Sequence, residues 1–193
     1  MSAAGGPFRV TADRLAVRVP AGTVVTVTVI DLAGAGEPAI DELSAGSWGS
    51  VGPDPGRDIA KIAVIDPSSG TVRVGFAGGL GVQAGAVAVL VGSGGAGMRT
   101  AVAGAGAPSH LVVAGTSDRE CAAAANALIE EALPVVVTVG ARIVAREATA
   151  AETVLRDLGC TLASPLAALA GVGPEDLTPS GDQPPDGMGT SPP

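Results

Sequence analysis

The chain contains no tyrosine, one tryptophan, two phenylalanines, one histidine and two cysteines in 193 residues. With so few rings, the core must be built from Val, Leu, Ile and Ala and from close backbone approach at the 29 glycines, because aromatic side chains, which normally carry much of the buried area, are missing. The cysteines, Cys121 and Cys160, stand far apart and no CxxC occurs. His110 is the only histidine, so a Cys/His zinc site is not expected and no metal is assigned. One bridge would be a poor framework for a secreted chain of this size, which points to a reducing, cytoplasmic setting. Lys61 is the only lysine beside ten arginines, a bias read as genome composition.

Positive charge is also scarce. The formal charge is −8, and four acids (Glu175, Asp176, Asp182 and Asp186) fall in a final stretch without a base. No segment is basic enough to displace counterions from a nucleic acid, so no nucleic-acid partner is expected. Met1 to Pro7 lacks the basic and apolar segments of a signal peptide. Residues 74–98 are uncharged and long enough to cross a bilayer, but nine of those 25 residues are glycine, which reads as strands and tight loops. No membrane partner is expected.

What remains is an α/β (or α+β) pattern. Val17, Val19, Val25, Val27 and Val29 alternate with small or polar residues, the period-two signature of strands. Ala39 to Leu43 reads as one helical turn, and Ser44 to Gly56 as an irregular loop. Lys61–Ile65 and Thr71–Phe76 flank a Pro-Ser-Ser-Gly turn and predict a hairpin. From Ala86 onward, buried strands at 86–91, 111–114 and 134–139 alternate with helices: a short one near Met98–Ala103, one opened by the capping box Ser117-Asp118-Arg119-Glu120, one over 146–158 and one opened by Ser164-Pro165. That βαβαβα order predicts parallel strands with right-handed crossovers. The expected domain is 1–171, a β-rich half (1–84) and an alternating half (85–171). Residues 172–193 are too poor in apolar side chains to offset their chain entropy and read as a disordered acidic, Pro-rich tail.

The segment with the most chemical content is Gly92-Ser93-Gly94-Gly95-Ala96-Gly97, a G-x-G-x-x-G following a strand. Glycines Gly92, Gly94, Gly95 and Gly97 would let backbone amides approach a phosphate, and Arg99 would clamp it. Asp118 follows Gly97 by 21 residues, where a carboxylate would hold a ribose. In this the segment resembles a Rossmann-type nucleotide site over about 30 residues. The resemblance implies a nucleotide or phosphorylated metabolite as cofactor, with His110 and Asp118 as candidate catalytic groups. The glycines also have a simpler use in tight turns and close packing. Ser44–Asp58 supplies a second candidate, a substrate loop with Trp48, Asp54, Arg57 and Asp58, preceded by the acids Glu37, Asp41 and Glu42. The strand before the glycine loop favours a small-molecule-binding enzyme domain using that loop; the alternative is a non-catalytic assembly subunit that forms homo-oligomers or binds a protein partner.

Overall fold

A computed structural model describes residues 8–34, 37–92 and 108–177. The elements, in order, are helix α1 (Ala12–Leu15), strands β1 (Val17–Arg18), β2 (Val24–Asp31), β3 (Ala39–Ser44) and β4 (Ser50–Val51), and a 3-10 turn (Pro55–Arg57). Then come β5 (Ile59–Asp66), β6 (Thr71–Gly78), β7 (Ala86–Gly92), β8 (Pro108–Gly115), α2 (Asp118–Glu131), β9 (Val135–Val139), β10 (Arg142–Ala145), α3 (Ala148–Asp157) and α4 (Pro165–Ala170). Eight strands form one sheet in the order β10-β9-β7-β8-β5-β6-β2-β3, while β1 and β4 form a separate two-stranded pair.

The sheet has a helical layer on each side. Ala63, Ile65, Ala88, Leu111, Val113 and Val136 face α2 and bury Cys121, Ala124, Ala125 and Leu128. The alternate residues, among them Ile62, Val64, Val87, Val89, Val112 and Val137, face α3 and α4 and bury Leu155, Leu166 and Leu169. Strands covered on both faces read as continuous apolar runs, which is why β5, β7 and β9 show no alternation. Beyond β6 the helical layers end, and Val29, Leu43, Val51, Ile59 and Phe76 form a third cluster under β1 and β4.

The hairpin of β5 and β6 is present, paired from Ile59↔Gly78 to Asp66↔Thr71. So is the Ser117 cap, whose hydroxyl accepts the Glu120 amide at 3.2 Å. The parallel arrangement expected from 86 onward is not what forms. Strand β7 pairs antiparallel with both β8 and β9, and β9 pairs antiparallel with β10. Among the described residues, only β2 and β6 pair in parallel. Alternation of strands and helices implies parallel pairing only if each crossover joins neighbours, and here β7 stands between β8 and β9. The helix expected at Met98–Ala103 lies outside the described residues.

Two further expectations change. Ala39–Leu43 is not a helical turn but most of β3, paired with β2 from Ala39↔Val29 to Ser44↔Val24. Its acids are tolerated because it is the last strand of the sheet. The segment after Gly171, read as the start of an unpacked tail, stays packed through Leu177: Val172 and Leu177 are buried in the core beneath α4. Arg142–Ala145 carried no reading and is the strand β10.

Candidate functional site

The structure separates the residues that the sequence grouped around the glycine loop. Gly94, Gly95, Gly97 and Arg99 lie outside the described residues. Gly92 ends β7 and stands opposite Pro108, the first residue of β8. His110 is beside this pair, opposite Val91, with Nε2 3.3 Å from the Val172 carbonyl oxygen. Asp118 is elsewhere. Strand β8 runs eight residues, from Pro108 beside Gly92 to Gly115, before α2 begins, a span of roughly 20 Å. Gly92 and Asp118 therefore lie at opposite ends of β8, unlike the arrangement a dinucleotide fold would need.

Asp118 instead meets Lys61. The Lys61 side chain is fully buried, and its Nζ is 2.5 Å from Asp118 Oδ1. The same Nζ donates to the Leu15 carbonyl at 3.1 Å and the Val51 carbonyl at 3.0 Å, and it stands 5.7 Å from the centre of the Phe76 ring. Two carbonyl oxygens accept from the ammonium and the Asp118 carboxylate balances its charge, the condition under which a buried ammonium is tolerated. The group ties β5 to α1, β4 and α2 at once. Cys121, one turn further along α2, is pushed up to about 12, first by burial and then by the negative charge of Asp118. A thiol held so high is not a nucleophile at neutral pH.

The sequence carries a signal for this lysine. It interrupts the apolar run Ile59-Ala60-Lys61-Ile62-Ala63-Val64-Ile65. A charge in such a run requires a buried partner, and an acid opening a nearby helix supplies one. The same helix start holds a second tie. Glu120 does not close a capping box; its carboxylate accepts the Ala141 amide at 3.1 and 3.2 Å and the Thr138 hydroxyl at 3.3 Å. It thereby braces the β9–β10 turn, where Ala141 has a φ of 60°.

The residues of the second candidate loop divide. Asp58, itself left-handed at φ 56°, accepts the amides of Gly79 at 3.1 Å and Gly81 at 2.6 Å. Asp54 and Ile59 exchange backbone hydrogen bonds. Arg57 donates to the Glu42 carbonyl at 2.9 Å and pairs with Asp41. Trp48 is 90% exposed, on a turn where Gly49 donates to Gly46 at 2.9 Å and Gly46 to Ser50 at 3.0 Å, while Val19 donates to Gly49 at 3.0 Å. Only glycine fits at position 49, with a φ of 67° and room for a Cβ only 2.5 Å from the Val19 oxygen.

Among the described residues, no three His, Cys, Asp or Glu side chains are placed to hold a metal ion. Among them also, no helix is long and apolar enough to cross a membrane. No known protein family matches the chain, and no curated protein matches it in sequence.

Proposed function

We propose that this chain is a non-catalytic assembly subunit that meets a second copy of itself through the Trp48 turn. The observation that carries the reading is the exposure of the single tryptophan, 90%, on a turn fixed by three backbone hydrogen bonds. A large ring in water on a rigid support is characteristic of an interface anchor, where Trp is enriched. Strand β3 leads into this turn, and its Ile40 is also exposed, at 78%. The groups that chemistry would draw on support the same view: Lys61, Asp58, Arg57 and Glu120 are each bonded into the fold.

Light scattering over a range of concentrations tests it. Wild type is expected to exceed the monomer mass, and Trp48→Ala to return to the monomer with its melting temperature unchanged. Equal masses for the two proteins would refute the proposal.

A second reading keeps the glycine loop as a binding site for a nucleotide or phosphorylated metabolite. It is favoured by the place of Gly92 at the end of β7, opposite Pro108, with His110 beside that pair. Arg99 would assist, and Asp118 would not take part. A thermal-shift screen with nucleotides and phosphorylated metabolites tests this reading: one ligand class is expected to stabilise wild type but not Gly94→Val. A flat screen with both proteins folded would exclude it.

A further inference from the structure

We propose that Arg57 and Asp41 close the β3 edge of the sheet against strand addition by a second copy of the chain. A terminal strand presents alternate backbone groups outward, and these template edge-to-edge pairing unless something occupies them. On β3 the parity is fixed by the ladder. The Ala45 amide donates to the Thr23 carbonyl at 2.8 Å, so Ala45 and Thr23 form a hydrogen-bonded pair. In the register Leu43↔Val25 and Asp41↔Val27, the odd residues of β3 then turn their N–H and C=O toward β2. The even residues Ile40, Glu42 and Ser44 turn theirs away.

Glu42 is the middle of that outward row, and both of its backbone groups are already bonded. Its amide donates to Asp41 Oδ1 at 2.7 Å. Its carbonyl accepts from the Arg57 guanidinium at 2.9 Å. The guanidinium also pairs with the same Asp41 oxygen, so the two side chains support each other. One acceptor and one donor thus stand where a neighbouring strand would place its own. Arg57 is held there by its backbone: it ends the 3-10 turn, and the next residue, Asp58, is anchored to Gly79 and Gly81.

The opposite edge uses different means to the same end. Strand β10 has four residues, its register breaks between Ile143 and Ala145, and Arg142 and Arg146 bracket it. Short, bulged and charged edges resist pairing.

The test uses Arg57→Ala in the Trp48→Ala background, which removes the contact proposed above and keeps the two ideas separable. Light scattering is expected to show Arg57→Ala/Trp48→Ala at twice the mass of Trp48→Ala or more, at equal concentration. Hydrogen exchange at Ile40, Glu42 and Ser44 is expected to slow in the associated form. Adding Glu42→Pro is expected to restore the mass of Trp48→Ala: a proline blocks an incoming strand there, yet removes no bond to β2, because the Glu42 amide points away from it. Should Arg57→Ala not fold, Asp41→Ala exposes the same amide and carries the same test. Unchanged mass in the folded variant, or association that survives Glu42→Pro, would overturn the proposal.

Discussion

Lys61 Nζ and Asp118 Oδ1 stand 2.5 Å apart, joining the middle of the sheet to the first turn of α2. Removing one member of a buried pair leaves the other without compensation, a loss of about 3 kcal/mol or more. Lys61→Met also strips the Leu15 and Val51 carbonyls of their donor. Urea denaturation is expected to show this loss for Lys61→Met and a partial recovery for Lys61→Met/Asp118→Asn. Equal stability of Lys61→Met and wild type would contradict the account of the core.

The turn after β5 gives a pH dependence. Asp66 is held at about 2 against its ordinary 3.8, chiefly by the hydroxyls of Ser68 and Ser69, which lie 2.6 and 2.7 Å away. Its folded value lies below the unfolded one, so its contribution is complete above pH 3.8 and is lost as pH falls through about 2. The stability difference between wild type and Asp66→Ala, followed by urea titration, is expected to shrink across that window. A difference that grows on acidification would show the sign to be wrong.

Both thiols are buried, and burial raises both: Cys121 to about 12, and Cys160 above its usual range. Native protein at neutral pH is therefore expected to resist a maleimide that modifies both thiols in denaturant. Rapid labelling of Cys121 in the folded chain would contradict its place against the sheet.

Leu177 tests where the packed chain ends. Its Cδ2 lies 2.8 Å from the point a Cβ on Gly75 would occupy, so the residue seats directly on β6. Leu177→Ala is expected to cost about 2–5 kcal/mol in chemical denaturation, the usual range for emptying a buried leucine site. A change below about 0.5 kcal/mol, typical of a surface position, would place Leu177 outside the core.

Local signals were legible in the sequence, and long-range pairing was not. The β5–β6 hairpin and the bond from the Glu120 amide to the Ser117 hydroxyl depend on neighbouring residues, and both form; the return bond of the capping box does not, because the Glu120 carboxylate is taken by Ala141 and Thr138. Strand direction depends on which strands become neighbours. The run from Ala86 to Val91 is equally apolar whether its partners are parallel or antiparallel, so composition could not reveal that β7 lies between β8 and β9. Residues 39–43 misled because Asp41 and Glu42 are poor strand formers, and their place at an edge, bonded to Arg57, is a tertiary fact. Val172 and Leu177 were too few to register as a pattern, though each fills a specific gap. Of the candidate site, Asp118 was singled out for the wrong partner. The lysine that needs it is 57 positions earlier in the chain, beyond the reach of any local motif.

The most direct measurement is the fluorescence of the single tryptophan along a dilution series, read beside the molar mass. If Trp48 is the contact between copies, its emission is expected to be blue-shifted at high concentration. On dilution it should move to the red in step with dissociation to the monomer. A water-exposed emission that stays constant while the mass changes, or a monomer at every concentration, would contradict the assembly role.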